Sequence, residues 1–381
     1  MFEWLKRSHC AVGGKCSGCE WITHSRKHQI TNKIDRLRRH WKEQSGETLP
    51  AHIQVLDLGD RELRNVVDVS FQRLGKKKCV LGFYDLAREK LINAAPCPAL
   101  TPDLQQFLID LADRPPPIDQ ASFRLRVNHH GQRGLWVDTS NLEIRTLLNE
   151  KNWLRSWLED GHVEMGQRRK YVQDEGAELR LNKPVLRPWF STPLQKANKD
   201  VPLWTVVGGF TQPSIQANRH LVHHVLHLAE QTEVTHWLEY GAGCGNFTLP
   251  FAERFSHITA TEISPISREG LRKAAGHQKL SAKINISNIN LQRNTKDSQL
   301  LIGKSDGLLV DPPRSGLHDS INALRDTLQR PQSILYVSCY ARSLAKDGML
   351  LKELGYTLKH IEGIDQFPNT PHCEWIALFQ Q

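Results

Sequence analysis

The sequence contains no apolar run long enough to cross a lipid bilayer, which requires about 20 consecutive apolar residues. Its first ten residues, MFEWLKRSHC, place charged side chains where a secretory signal needs an apolar stretch. No internal repeat or low-complexity tract stands out. With 381 residues, of which 24% are charged and 39% hydrophobic, the chain is long enough for two or three domains. These features predict a cytoplasmic globular protein with no membrane partner.

The sequence also has no excess of acidic residues. Its surplus of Lys and Arg over Asp and Glu is unevenly distributed along the chain. Residues 1–200 carry 33 Lys and Arg against 25 Asp and Glu, whereas residues 201–381 carry 17 against 16. The clusters Lys76–Lys78 and Arg168–Lys170 suit contacts with phosphates, although such clusters are also common on solvated protein surfaces. The asymmetry indicates that the N-terminal half meets a polyanion.

From about residue 233 onward, strand-like and helix-like segments alternate, separated by glycine or proline clusters. This alternation predicts an α/β domain in which helices cover both faces of a parallel sheet. The last two apolar runs, Tyr356–Ile364 and His372–Phe379, have no helix between them, so we expect an antiparallel pair at one side of the sheet. The other expected elements are His236–Tyr240, His257–Ile263, Gly307–Val310, Ile334–Val337, Pro265–Gly276 and Ala341–Leu354.

The first half of the chain is less regular. Residues 30–44 have the pattern of a basic amphipathic helix. Residues 51–95 and 121–182 contain short alternating segments suited to antiparallel strands.

Four prolines between Pro184 and Pro202 favour a linker there. We therefore predict a β-rich N-terminal region over residues 1–200 and a second domain over residues 201–381. A helix at about 22–45 can pack on that second domain.

A glycine-rich turn between a strand and a helix is the first candidate for a binding site. Gly241, Gly243 and Gly245 let the backbone turn sharply and let a ligand approach without a Cβ clash. Glu262 follows at the end of the next strand, where an acid can hold two ribose hydroxyls of a nucleotide-like cofactor. The pattern suits NAD and S-adenosylmethionine alike, and a purely structural turn has a similar sequence.

Two later strands bring reactive side chains to the same edge of the predicted sheet. The run Leu309–Gly316 contains two prolines that cannot continue the ladder, which leaves Asp311 at the carboxyl edge where ligands bind. The next strand ends at Cys339. A cysteine on an apolar strand is usually core packing, but this position beside a ligand crevice favours a nucleophile.

These motifs resemble those of the RNA 5-methyluridine methyltransferases, in the branch that acts on 23S ribosomal RNA, carries an iron–sulfur cluster and lacks a TRAM domain. The resemblance extends from about residue 205 to the C-terminus and includes a cysteine motif near the N-terminus. The motifs that carry it are Phe210-Thr-Gln-Pro-Ser, Gly243-Cys-Gly-Asn-Phe-Thr, Thr261-Glu-Ile-Ser-Pro, Asp311-Pro-Pro-Arg-Ser-Gly, Tyr336-Val-Ser-Cys and Asp365-Gln-Phe-Pro-Asn-Thr-Pro-His-Cys-Glu374. It implies a C-terminal class I, Rossmann-like S-adenosylmethionine methyltransferase domain.

The resemblance also implies a reaction and its residues. Cys339 would be the nucleophile that adds to carbon 6 of uracil, and Glu374 would be the base that removes the proton on carbon 5. Contacts with S-adenosylmethionine are expected from Gln212, Gly241, Gly243, Glu262, Asn288 and Asp311. The expected partner is structured RNA, ribosomal RNA above all, and no obligate protein partner is evident. The alternatives are a tRNA uridine methyltransferase and a catalytically lapsed RNA-binding assembly factor.

Five of the eight cysteines lie in the first hundred residues, which in a cytosolic protein points to metal binding. The spacing Cys10-x5-Cys16-x2-Cys19 forms a compact ligand loop, and Cys97 follows in an Ala-Pro-Cys-Pro context. Four thiolates suit zinc and an iron–sulfur cluster equally well. The resemblance favours a [4Fe–4S] cluster of structural role on these four residues and leaves Cys79 outside it.

The chain departs from the family pattern at several positions. Gly241 and Ala242 stand where an aromatic residue and a cysteine are usual, and Asn288 stands where aspartate is usual. Tyr340 and Val66 replace a common asparagine and a common lysine. The departures fall at expected cofactor and RNA contacts, whereas the nucleophile and the base are retained.

Overall fold

A computed structural model describes residues 10–75, 78–138, 144–166, 170–176 and 178–381. The first nine residues and Lys76, Lys77, Arg168 and Arg169 of the predicted phosphate-binding clusters lie outside the described residues. Two compact units share the chain. The first comprises the described part of Met1–Ser25 with Asp60–Phe190 and Thr205–Ile215, and the second comprises Arg26–Gly59, Ser191–Trp204 and Gln216–Gln381. The units interleave in sequence, whereas the sequence predicted one boundary at residue 200.

The described residues form the following elements. The helices are α1 Arg26–Ser45, α2 Pro102–Asp113, α3 Ile144–Asn149, α4 Lys151–Asp160, α5 Ile215–Glu230, α6 Thr248–Arg254, α7 Pro265–His277, α8 Lys296–Gly303, α9 Ser320–Asp326 and α10 Ala341–Glu353, with a 3-10 turn at Ser281–Lys283. The strands are β1 Val55–Asp57, β2 Val66–Arg73, β3 Cys79–Tyr84, β4 Leu91–Asn93, β5 Gln120–Val127, β6 Arg133–Asp138, β7 Gly161–Met165, β8 Lys170–Asp174, β9 Leu179–Asn182, β10 Arg187–Leu194, β11 Lys199–Thr205, β12 His236–Tyr240, β13 His257–Thr261, β14 Ile284–Ser287, β15 Gly307–Val310, β16 Ser333–Ser338, β17 Thr357–Asp365 and β18 Glu374–Gln380. None of the described helices combines the length and the apolar character needed to span a membrane.

The first unit is built on an eight-stranded sheet of order β4-β3-β2-β5-β6-β7-β8-β9. Its pairs are antiparallel, as the alternating segments predicted, except for the parallel pair β6–β7. Helices α3 and α4 lie between those two strands in the chain and provide the crossover that parallel pairing requires. Alternate residues Val67, Val69 and Phe71 of β2 are buried in its core.

The second unit is built on a sheet of order β1-β17-β18-β16-β15-β12-β13-β14. All neighbouring strands are parallel except β18, which runs antiparallel to both β16 and β17. The expected α/β sheet and the expected antiparallel pair at the end of the chain are thus confirmed. The pair does not form the sheet edge, however, because the short strand β1 adds parallel to β17.

Helices cover both faces of this second sheet. Leu238 and Tyr240 of β12 belong to one buried cluster and Trp237 to another, since successive side chains of a strand point to opposite faces. Helix α1 contributes Trp41 to the first of these clusters. A Cβ atom on Gly348 of α10 would lie only 2.6 Å from Cη2 of Trp41, so glycine at this position allows α1 to pack closely against α10.

Candidate active site

The glycine-rich turn after β12 adopts backbone conformations that favour glycine. The φ angles of Gly241, Gly243 and Gly245 are +73°, +57° and +102°. A Cβ atom on Gly245 would lie 2.6 Å from Cδ1 of Leu271, so a larger residue does not fit there. The turn is fixed to the end of β13, because the backbone N–H groups of Gly241 and Ala242 both donate to the Thr261 carbonyl at 2.9 Å.

Glu262 lies directly against this turn, as the sequence predicted from its place after the next strand. Its Oε2 accepts a hydrogen bond from the Gly243 N–H at 2.9 Å, and its Oε1 accepts one from the Ser264 N–H at 2.7 Å. Asn288 is exposed immediately after β14, the neighbouring parallel strand. Gly241, Gly243, Glu262 and Asn288 therefore follow adjacent parallel strands at their carboxyl ends, where α/β sheets bind ligands.

Glu239, near the end of β12, is an acid that the sequence analysis did not single out. It is 3% exposed and accepts a hydrogen bond from the Thr248 hydroxyl at 2.5 Å. Burial, helped by the nearby carboxylates of Asp311 and Glu262 and opposed by the Thr248 hydrogen bond, raises the pKa of Glu239 to about 8. Burial likewise raises the pKa of Asp311 to about 7. Several carboxyl groups thus share a poorly solvated region at this sheet edge.

The structure brings Cys339 and Glu374 together at the same end of two paired strands. Ser338 pairs with Trp375 across β16 and β18, so the next residue on one strand and the previous residue on the other lie side by side. Burial, together with the negative charges of Glu374 and Asp311, raises the pKa of the Cys339 thiol to about 11, although a hydrogen bond from Arg314 opposes the shift. The thiol is therefore protonated at neutral pH in this arrangement.

Glu374 has a buried environment and one close amide donor. Its side chain is 2% exposed, and Nε2 of Gln366 donates to its Oε2 at 2.6 Å. Burial raises the pKa of Glu374 well above its usual range and Asp311 adds to the shift, while the Gln366 hydrogen bond opposes it. Neither Arg314 nor Gln366 was assigned a role from sequence. Each lies inside a motif quoted above, but its partner is visible only in the folded chain.

Gln212 belongs to the first unit, whereas the other predicted cofactor residues belong to the second. Its side chain is 7% exposed. The segment before it is anchored by two buried charges that the sequence analysis missed. Glu164 accepts hydrogen bonds from the N–H groups of Val207 at 2.9 Å and Gly208 at 3.1 Å, and Arg126 donates to the Gly209 carbonyl at 2.7 Å.

The four cysteines predicted to hold a cluster are electrostatic neighbours. Burial, together with the thiols of Cys97, Cys16 and Cys10, raises the pKa of Cys19 to about 12. The Gly18 N–H donates to Sγ of Cys16 at 3.4 Å. Within the described ranges, however, no three His, Cys, Asp or Glu side chains are gathered closely enough to ligate a metal ion. The thiols thus share one region without forming a compact ligand set.

Comparison with known proteins adds independent information on this chain. The family model for tRNA (uracil-5-)-methyltransferases matches residues 185–381. An uncharacterized RNA methyltransferase of Bdellovibrio bacteriovorus is 34% identical over 386 residues, covering 100% of this chain and 97% of that protein. The 23S rRNA (uracil(1939)-C(5))-methyltransferase RlmD of Shewanella woodyi is 26% identical and covers 97% of this chain and 81% of that protein.

A solved structure has the same fold. The tRNA (uracil-54, C5)-methyltransferase of Pyrococcus abyssi, in complex with S-adenosyl-L-homocysteine, superposes with a TM-score of 0.65 at 19% identity. The match covers 96% of this chain and 86% of that one, and it confirms the predicted Rossmann-like methyltransferase fold. With the family match over residues 185–381 and the full-length relative, we conclude that this chain belongs to the RNA (uracil-5-)-methyltransferase family.

Proposed function

We propose that this protein transfers a methyl group from S-adenosylmethionine to carbon 5 of a uridine in ribosomal RNA, with Cys339 as nucleophile and Glu374 as general base. The observation that carries the proposal is the adjacency of these two side chains at one end of β16 and β18. Uracil methylation at carbon 5 needs both a thiolate and a base. S-adenosylmethionine, when bound, supplies the methyl group. Its proposed contacts are Gln212, Gly241, Gly243, Glu262, Asn288 and Asp311.

The proposed steps follow from the chemistry of the ring. After the Cys339 thiol loses its proton to solvent, its thiolate would form a bond from Sγ to carbon 6 and leave carbon 5 as the nucleophilic carbon of an enolate. Carbon 5 would then take the methyl group from the sulfonium of the cofactor, with S-adenosylhomocysteine leaving as the neutral thioether. Glu374 then accepts the proton of carbon 5, the electrons of that C–H bond form the C5=C6 double bond, and the Sγ–C6 bond breaks to return the thiolate. The hydrogen bond from Arg314 stabilises the thiolate form of Cys339. Because Gln366 donates to Oε2 of Glu374, Oε1 is the oxygen that we assign to the proton.

The proposed substrate rests on the relatives and on charge. RlmD proteins of two further organisms, 26% and 28% identical to this chain, carry the same 23S rRNA name as the Shewanella woodyi relative. The surplus of positive charge in residues 1–200 suits phosphate contacts, which supply much of the affinity for nucleic acid. These contacts offset the cost of taking a uracil out of its stack, which is on the order of a few kcal/mol. We assign the RNA contacts mainly to residues 1–200 and the reaction to the cytoplasm.

We also propose a structural [4Fe–4S] cluster on Cys10, Cys16, Cys19 and Cys97. The support is that the thiols of Cys19 and Cys97 are desolvated by burial and that Cys10 and Cys16 act on both of them electrostatically, so that ionisation of these thiols needs a cationic centre. The test is the iron and acid-labile sulfide content of anaerobically purified protein. Cys97→Ser should lose both, whereas Cys79→Ser, whose thiol contacts the Ala112 carbonyl, should keep them. Zinc in place of iron would contradict this assignment.

The reaction is tested by incubating anaerobically purified protein with S-adenosylmethionine and unmodified rRNA and tRNA transcripts, followed by mass spectrometry of the nucleosides. We expect 5-methyluridine in rRNA with the wild type and none with Cys339→Ala. If 5-methyluridine forms in tRNA transcripts alone, the substrate is tRNA and not rRNA. A full yield with Cys339→Ala would refute the nucleophile, and failure to bind S-adenosylmethionine would favour an RNA-binding protein without this activity.

A further inference from the structure

The connection between β17 and β18 carries a buried side-chain donor to the proposed base. It begins after Asp365, ends at Glu374, and includes Gln366, whose Nε2 lies 2.6 Å from Oε2 of Glu374. Gln366 and Glu374 are each 2% exposed. A shift of this connection would therefore move the amide that fixes the orientation of the Glu374 carboxylate.

A buried lysine of helix α1 holds the start of that connection. Nζ of Lys33 lies 2.6 Å from Oδ1 of Asp365 and donates to the carbonyl of Phe367 at 3.0 Å. The side chains of Lys33 and Asp365 are both fully buried. Arg26, two turns before Lys33 on the same face of α1, donates to the second oxygen of Asp365 at 2.6 Å. The residues on either side of Gln366 are thus both bonded to α1.

A glutamine of the same helix holds the middle of the connection. Nε2 of Gln29 donates to Oδ1 of Asn369 at 2.9 Å, and its Oε1 accepts from the backbone N–H of Asn369 at 2.8 Å. Asn369 has a φ of +61°, a conformation that residues other than glycine adopt only when their surroundings hold them in it. The reciprocal pair with Gln29 supplies that restraint.

Packing alone does not require these residue types. The buried stripe of α1 is polar in its first half, at Gln29 and Lys33, and apolar in its second half, at Leu37 and Trp41. An apolar residue at position 33 would avoid the cost of taking an ammonium and a carboxylate out of water, a cost that a buried ion pair often fails to recover. The polar half of the stripe bonds to the connection that carries Gln366, and the apolar half packs in the core.

We propose that Lys33 and Gln29 are positioning residues for Glu374, acting through the 365–369 segment and Gln366. The inference rests on the proposed role of Glu374 as the base. Its main consequence is expected at one step, because removal of the carbon-5 proton requires the Glu374 carboxylate to face that proton. Addition of Cys339 to carbon 6 and transfer of the methyl group both precede that step and do not use the carboxylate as a base.

The test follows the covalent RNA–protein adduct under single-turnover conditions. Rate constants for methylation and for adduct release are measured with labelled S-adenosylmethionine and denaturing gels, on the rRNA transcript that the activity assay identifies. For Gln29→Met, and for the charge-balanced pair Lys33→Met/Asp365→Asn, we expect adduct release to slow by about tenfold, a fraction of the contribution of a general base. Methyl transfer should stay within about twofold of the wild type.

Two controls separate positioning from a loosened helix. Leu37→Ala removes a fully buried side chain of the same helix that belongs to the apolar core, so it should lower thermal stability without accumulating adduct. RNA that contains 5-fluorouridine has no proton on carbon 5, so the adduct persists without any action of the base. On that RNA the Gln29→Met variant and the wild type should trap adduct at equal rates.

The outcomes distinguish this inference from the proposed reaction. If Glu374→Gln accumulates methylated adduct but Gln29→Met and the charge-balanced pair release it at the wild-type rate, the positioning role is wrong and the reaction stands. Equal accumulation in Leu37→Ala, or an equal slowing of methyl transfer and release in Gln29→Met, would also overturn it. If Glu374→Gln itself accumulates no adduct on uridine RNA, the assignment of the base is wrong.

Discussion

The reactivity of Cys339 depends on its surroundings in a way that alkylation can measure. Burial and the neighbouring carboxylates raise its thiol pKa from 9.0 to about 11. Only the thiolate reacts with iodoacetamide. At pH 8 a thiol of pKa 9.0 is ~10% ionised and one of pKa 11 is ~0.1% ionised, so folded Cys339 should react about a hundredfold more slowly than the same residue in the unfolded chain.

The assay quantifies the Cys339 peptide by mass spectrometry after timed alkylation between pH 7 and pH 10, in native protein and in urea. In native protein the rate should rise about tenfold per pH unit over the whole interval, whereas in urea it should level off near pH 9. The shape of the curve separates the pKa from simple access of the reagent, because restricted access lowers the rate equally at every pH.

Two substitutions determine the sign of the electrostatic effect. Arg314→Gln removes the hydrogen bond that lowers the Cys339 pKa, so alkylation at a given pH should become slower. Glu374→Gln removes a negative charge that raises it, so alkylation should become several-fold faster even though the variant loses the proposed base. A native rate that levels off between pH 7 and pH 8 would refute this account, because it would show a thiolate already formed at neutral pH.

Two further predictions concern stability. Gly348→Ala should lower the free energy of unfolding by about 1–3 kcal/mol, because its Cβ would lie 2.6 Å from Cη2 of Trp41. Gly276→Ala, whose Cβ would meet nothing within 4 Å on helix α7, should instead raise it by up to about 1 kcal/mol. Urea unfolding compares them, and equal losses would contradict the packing argument. His224→Gln should lower the melting temperature more at pH 6 than at pH 8.5. The hydrogen bond to Glu362 raises the pKa of His224, so its stabilising effect is present below the ordinary value of 6.5 and is lost as the pH rises. Burial opposes ionisation of Glu362, but hydrogen bonds from His224 and His360 lower its pKa to about 2, so this carboxylate remains charged at both pH values. A larger loss at pH 8.5 would contradict the ion pair.

The sequence predicted the second unit well because its signals are local. Apolar strand runs alternate with helices there, and Ser264 and Pro265 mark the start of α7, where the Ser264 hydroxyl accepts from the Ser267 N–H. The three residues of β1 give no such signal, and their place beside β17 is determined by distant packing. The parallel pair β6–β7 was missed for the same reason, because it depends on which strands the intervening helices bring together.

The site shows the same division between local and distant information. Motif positions sufficed to predict Cys339, Glu374 and Glu262 as candidates, since each follows or begins a strand at one sheet edge. The roles argued here for Lys33 and Gln29 have no counterpart in any motif, because their partners lie more than 300 residues away in the chain.

The loop that carries Arg314 is held in place by α10, the helix that follows the proposed nucleophile. Asp347 of α10 accepts hydrogen bonds from the Leu317 N–H at 2.8 Å and from the Tyr336 hydroxyl at 2.6 Å. Gly316, with a φ of +86°, lets the loop approach, since a Cβ atom there would lie 2.5 Å from Oδ2 of Asp347. Because α10 begins two residues after Cys339, this one helix supports both the thiol and the loop that carries Arg314, the hydrogen-bond donor of the thiol.

Helix α1 holds the segment that leads to the proposed base in a similar way. It packs on α10 at Gly348 through Trp41, and its first half bonds to the segment that ends at Glu374. The proposed nucleophile and the proposed base therefore sit at the ends of two neighbouring strands, and the Arg314 loop and the 365–369 segment beside them are held by α10 and α1. A helix near the start of the chain thereby supports the proposed site, whose reactive groups all come from the last 70 residues of the chain. This contact explains why the helix belongs to the unit of the methyltransferase sheet and not to the unit that surrounds it in sequence.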